Sequence, residues 1–156
     1  MLTILILLGI LGAATIGGVF FAFSTFVMGA LAQLPPAAGV LAMQRINVVV
    51  LNALFLGTFV GTAGLQGVIA ALAVVGWDGR RSVLLLAGAV LYLGGCFGVT
   101  MACNVPRNDR LMAVPADSAA ARDYWPVYLR EWTWWNHVRT VAALAAAACG
   151  LTALVP

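Results

Sequence analysis

Charge is what this chain has least of. Only 8% of its 156 residues are Asp, Glu, Lys or Arg, lysine is absent, and there is a single histidine. A net charge of +3 is too small an excess for a nucleic-acid partner. Cys96, Cys103 and Cys149 lie in apolar surroundings without a C-x-x-C pair. They read as buried structural thiols, not as a redox dithiol. One histidine and three scattered cysteines make no metal-ligand set, and no glycine loop suited to a nucleotide phosphate is present. No Asp or Glu falls inside an apolar run, which argues against an ion-coupled transporter. With arginine as the only strong cation, fork-like hydrogen bonding is favoured, although high-GC codon usage gives the same bias.

What remains is apolar. The chain is 63% hydrophobic with a mean hydropathy of +1.04. A helix needs about 20 mainly apolar residues to cross a hydrocarbon core of roughly 30 Å. Four runs qualify, at about 2–31, 42–75, 82–103 and 135–155. The expectation is one all-α domain over 1–156, an integral membrane four-helix bundle with one long loop between its third and fourth helices. The opening run has no basic flank and no small-residue cleavage site, so it reads as a span and not as a signal peptide.

The prolines 35 and 36 end the first helix, and the segment 76–81 forms a tight turn between the second and third. The connection 104–131 carries most of the charge. Within it, Asp117 is expected to cap a short helix over 118–123, and Pro126 to interrupt the chain beyond that helix. Arg45, Arg107, Arg110, Arg122 and Arg130 fall on one side, against Arg80 and Arg81 on the other. The positive-inside rule then puts the long loop in the cytoplasm, with a bacterial inner membrane as the expected location.

Polarity within the spans is arranged in faces. In the second, Gln44, Asn47, Leu51, Phe55, Thr58, Thr62 and Gln66 share a stripe, with Arg45 and Asn52 at its edge. The stripe should face the bundle interior, because an unpaired amide against lipid is costly. Deeper members serve as interhelical hydrogen-bonding groups, whereas Arg45, Asn47 and Asn52 cluster near one surface. Gly9, Ala13 and Gly17, together with the Gly57–Gly61 and Gly94–Gly98 pairs, mark close helix contacts and offer faces for a homo-oligomer.

The segment 132–140, Trp-Thr-Trp-Trp-Asn-His-Val-Arg-Thr, runs directly into the last apolar stretch. Ionisable groups at such a position are functional candidates. Trp132, Asn136 and Arg139 share a face flanked by Trp135, while His137 points about 160° away from Arg139. At least one of these tryptophans belongs to an interfacial aromatic belt. Asn104 and Asn108, at the end of the third span, lie on the same membrane side as the start of the second and fourth. Arg45, Asn47, Asn104, Asn108, Asn136 and Arg139 can therefore converge on one pocket.

The runs Gly-Val-Phe-Phe-Ala-Phe-Ser-Thr-Phe-Val-Met (18–28), Ala-Met-Gln-Arg-Ile-Asn (42–47), Asn-Val-Pro-Arg-Asn-Asp-Arg-Leu (104–111) and Trp-Asn-His-Val-Arg-Thr (135–140) resemble, in matching order, the anthrone oxygenase family of small integral membrane proteins. The resemblance implies oxidation of an anthrone to an anthraquinone by dioxygen, without metal or flavin. Arg107 departs from the Leu more usual there and brings an extra charge toward the expected pocket.

Such chemistry needs a flat aromatic held in place, a proton removed and oxyanions stabilised. On this reading Arg139 and Arg45 stabilise the oxyanion. Asn47, Asn104, Asn108 and Asn136 donate to substrate oxygens, with Asn52 beside them, and Trp132 or Trp135 stacks on the ring. His137 is the side chain whose unperturbed pKa suits a base, Asp109 the fallback, and a substrate-derived or water-mediated base stays open. The alternative is a non-enzymatic accessory subunit holding a quinone, isoprenoid or lipid in the same pocket.

Overall fold

The structure, a computed structural model, describes residues 2–155. Those residues form five helices and no strands: α1 Leu2–Ala32, α2 Pro36–Val49, α3 Ala53–Val75, α4 Gly79–Met112 and α5 Ala119–Thr152. Three of them, α1, α3 and α4, are long and apolar enough to cross a membrane. α5 is not among them, because its apolar half shares the helix with Asn136, His137, Arg139 and a charged first half.

Several helix boundaries differ from the sequence expectation. The run 42–75 is broken: α2 ends at Val49, and α3 begins at Ala53. Asn52 makes the break, since its Oδ1 accepts from Phe55 N at 3.0 Å and its Nδ2 donates to Val49 O at 2.9 Å. One side chain thus satisfies an orphan donor of α3 and an orphan carbonyl of α2.

The expected long loop over 104–131 is mostly helical. α4 continues to Met112, and only residues 113–118 separate it from α5. Pro106 sits in the first turn after a π-helical stretch, Thr100–Asn104, where the wider turn leaves room for a ring without an N–H. The cap of α5 is Ser118, not Asp117: Ser118 Oγ accepts from Ala121 N at 3.1 Å. The helix then runs through Pro126 without ending.

Packing falls into three layers along the molecule. At one end Ile6, Ile69, Ala73, Leu85 and Ala153 pack together. The middle is built on Ala13, Ile16, Phe20, Phe59, Tyr92 and Ala143. At the other end α2, the last turns of α4 and the first half of α5 enclose Met43, Leu111, Trp125, Tyr128 and Trp132. Gln44 ties α2 to the end of α4, donating from Nε2 to Leu111 O and Val114 O, both at 2.9 Å.

Close approach of the helices relies on particular glycines. A methyl at Gly17 would lie 2.7 Å from Leu144 Cδ2, and one at Gly95 would lie 2.7 Å from Ala142 Cβ. Gly57, Gly61 and Gly94 face open space, so the contacts expected of those two pairs are not made there.

Candidate active site

Between the middle layer and the α2 layer lies a cavity of about 360 Å³. Small-molecule sites span roughly 300–1,000 Å³, so this one suits a compact ligand. Its walls are mainly apolar, with five aromatic rings, Phe20, Phe23, Phe55, Phe59 and Trp132, among them. The polar groups on the walls are Asn47, Thr100, Asn108 and Arg139. Irregular backbone borders it: Val50 and Leu51 come from the break between α2 and α3, Thr100 and Met101 from a π-helical stretch of α4, and Phe23 from another in α1. Inserted π turns re-aim side chains and recur at functional sites.

Arg139 is 5% exposed. Its guanidinium carbon lies 3.8 Å from the centre of the Phe20 ring and 4.8 Å from that of Trp132. Aromatic faces partly replace the hydration that burial removes. Nε donates to Asn136 Oδ1 at 2.9 Å and Nη1 to Thr100 Oγ1 at 3.4 Å. Nη2 has no protein acceptor among the described residues, and neither ion pair found there, Arg81–Asp78 nor Arg107–Glu131, involves Arg139.

Asn108 is fixed by its oxygen. Oδ1 accepts from Tyr128 Oη at 2.8 Å and from Trp132 Nε1 at 2.7 Å. Two donors on one side orient the amide, so Nδ2 is left for the cavity. Burial holds the Tyr128 phenol well above its ordinary range, offset only in part by the Asn47 amide and the Arg139 charge. Tyr128 therefore stays protonated and remains a donor. It also belongs to a stacked column, with ring centres 5.7 Å from Trp125 and 6.1 Å from Trp132. Asn47 is 9% exposed, and its Nδ2 makes no hydrogen bond.

The other candidates are placed elsewhere. Asn136 is fully buried behind Arg139, with Nδ2 donating to Phe20 O and Ser24 Oγ, both at 2.7 Å. It positions Arg139 and does not line the cavity. Asn104 is also fully buried, donating to Trp132 O at 3.2 Å, and its Oδ1 is unpaired. Asn52 is taken up by its two helix ends. Arg45 is exposed. His137 and Trp135 line a separate outer groove with Ser24, Met28, Glu131 and Trp134. Asp109 is exposed and lines no part of the cavity.

Arg107 is drawn away from the cavity by Glu131, with Nε and Nη2 each 3.0 Å from Oε2, and by Cys103 O at 2.7 Å from Nη1. The extra charge expected near the pocket is thus paired outside it. Thr100 and the Tyr128–Asn108 bond were missed at the sequence level. The Tyr128 spacing to Trp132 and Asn136, one turn each, was the available signal. Among the described residues no three of His, Cys, Asp and Glu come together as a metal site.

No curated protein and no solved structure matches the chain. A family model described as anthrone oxygenase matches residues 48–149. The match begins just after Asn47, so the resembling runs 18–28 and 42–47 lie outside it. It does include the cavity walls contributed by α3, α4 and α5, from Phe55 through Asn108 and Trp132 to Arg139. With more than half its length matched, this chain belongs to the anthrone oxygenase family.

Proposed function

We propose that the protein is a membrane-embedded oxygenase that converts an anthrone-like polycyclic aromatic to its quinone with dioxygen, and that the substrate itself supplies the electrons. The chain would cross the membrane four times, with the apolar half of α5 as the fourth crossing. The observation that carries the proposal is Arg139, a buried cation without a carboxylate partner, set in an aromatic cavity beside the free amide edge of Asn108.

The reaction balances without an external reductant. Removal of a proton from the activated methylene leaves an electron-rich enolate whose negative charge rests largely on oxygen. Arg139 and Asn108 donate toward that oxygen and lower the cost of the deprotonation. The enolate passes one electron to dioxygen, giving superoxide and a carbon radical, and their recombination forms a C–O bond. After protonation, loss of the second methylene proton with cleavage of the O–O bond releases water and leaves the carbonyl. The net change turns one CH2 and one O2 into one C=O and one H2O.

No carboxylate or imidazole lines the cavity. The proton is accordingly taken by water or hydroxide at the mouth, and the protein contributes by stabilising the anion and excluding bulk solvent. Phe20, Phe55, Phe59 and Trp132 supply the flat apolar walls.

Oxygen uptake and quinone formation by detergent-purified protein over a panel of anthrones, measured against spontaneous autoxidation, test the proposal. Turnover that disappears in Arg139→Gln supports it. Uptake no faster than autoxidation across the panel sinks it. The absence of a base favours a second reading, a non-enzymatic subunit that holds a quinone, isoprenoid or lipid. A molecule of that kind co-purifying in stoichiometric amount with catalytically inert protein supports this alternative.

A further inference from the structure

We infer that the cavity is an oxyanion receptor, binding its ligand in the ionised form, with Tyr128 and Trp132 as positioning residues that orient Asn108 toward it. This deepens the proposed function and rests on the same cavity, but it concerns the charge state of the bound ligand and not the reaction.

Charge is unbalanced inside the cavity. Arg139 is only 5% exposed, and the side chains around it include no carboxylate. The five acids of the chain are Asp78, Asp109, Asp117, Asp123 and Glu131. The first four are exposed and Glu131 pairs with Arg107, so none reaches the cavity. The titratable groups that face Arg139 are the Cys96 thiol from α4 and the Tyr128 phenol from its own helix. α1 and α3 line the cavity with apolar side chains alone, Phe20, Phe23, Phe55 and Phe59 among them, and the one polar group from α2 is Asn47. A buried cation without a counter-charge is costly, and an anionic ligand relieves that cost.

Polarity then gives direction. Trp132 links the two donors: Arg139 lies over its face, and Asn108 is bonded to its edge through Nε1. Tyr128 adds the second donor to Asn108 Oδ1, so a flipped amide would lose both bonds and bring two donors against its own NH2. Asn108 can therefore only donate to a ligand. Thr100 Oγ1 donates to Cys96 O at 2.8 Å and accepts from Arg139, which leaves it little to offer. The ligand edge that fits is an enolate, a phenolate or a peri-hydroxy ketone ionised at the hydroxyl.

The test uses 1,8-dihydroxyanthraquinone, a redox-stable probe whose phenol ionisation changes its visible spectrum. It is titrated with pH in micelles of the purification detergent, with and without the protein. The phenol is expected to ionise at lower pH when bound, by about 1–3 units, the range for an acid beside an opposite charge. Arg139→Gln should abolish the shift. Because that variant can fail to fold, Asn108→Asp serves as the second: it keeps an oxygen for Tyr128 and Trp132 but turns the donor edge into an acceptor, so the shift should vanish or reverse. Tyr128→Phe should reduce the shift while probe binding persists.

Bound probe with an unchanged or raised ionisation overturns the inference, as does a failure of the probe to bind at all. The two readings fail separately. A shifted probe without anthrone turnover removes the oxygenase and keeps the receptor. Turnover with an unshifted probe does the reverse.

Discussion

Asn136 aims Arg139. Its Oδ1 accepts from Arg139 Nε, one turn further along α5, at 2.9 Å, while its Nδ2 donates across to Phe20 O and Ser24 Oγ on α1. The amide cannot rotate without breaking three bonds, so the guanidinium is fixed from behind and its outer edge faces the cavity.

Asn136→Ala leaves the buried Arg139 Nε without its acceptor and removes the two bonds that tie α5 to Phe20 O and Ser24 Oγ on α1. Each such loss costs about 1–3 kcal/mol. A lower melting temperature in detergent and a loss of oxygen uptake are expected together. An unchanged melting temperature would mean that the Asn136 bonds carry little of the fold.

Replacing Arg139 by Lys keeps the charge but loses the planar fork and its stacking between Phe20 and Trp132. If the guanidinium stabilises the oxyanion, kcat should fall by about 10²–10³, the cost of removing one such donor elsewhere. Full activity in the Lys variant would show that charge alone is sufficient.

His137→Ala should leave turnover intact, because the imidazole is exposed in the outer groove and away from the cavity. Its effect on stability should stay within about 0.5 kcal/mol. Loss of turnover in the variant would return His137 to the role of base.

Tyr128→Phe should alter the alkaline limb of stability. The buried phenol ionises above its ordinary value of 10.0, so it favours the folded state less and less as pH rises past that value. The contribution is fully present below 10.0 and declines above it as the unfolded chain loses the proton first. Melting curves above that pH should therefore fall less steeply in the Phe variant. Parallel slopes would place the titration on another group.

Glycine variants test the packing. Gly17→Ala forces Leu144 to move and should destabilise by about 1–3 kcal/mol. Gly61→Ala meets open space and should be neutral or stabilising, by up to about 1 kcal/mol through helix propensity. A strong penalty at Gly61 would reveal a neighbour on that face.

Much of the architecture was legible in the residues. Apolar length exposed the long helices, and 3.6-residue spacing put Trp132, Asn136 and Arg139 on one face. The same spacing set His137 apart from that face. The break at 50–52 was not legible, because Val-Val-Val-Leu-Asn carries no proline or glycine and its only signal is the capping side chain of Asn52. The helical character of 104–131 was hidden by its charges and prolines. Pro106 follows directly on a π-helical stretch of α4 and Pro126 lies on an exposed face, positions where proline does less damage. Topology alone brought Asn104 and Asn136 to the same end of the bundle as the cavity. Which asparagine faces a ligand and which supports a neighbour depends on hydrogen-bond partners across helices, and spacing along one helix carries no information about those.

The unbroken course of α5 restricts how its sequence can change. It is 34 residues long, about 50 Å, and has no π turn, whereas α1 and α4 each carry such turns beside the cavity. Each residue advances a helix by about 100°. One residue inserted before Trp132 would rotate the rest of α5 against its first half, turning Arg139 away from the aromatic walls. α5 is thus a ruler whose length is itself encoded information, intolerant of insertion or deletion between Tyr124 and Arg139. Changes in length should accumulate instead in the turn 113–118, where a residue more or less alters no register.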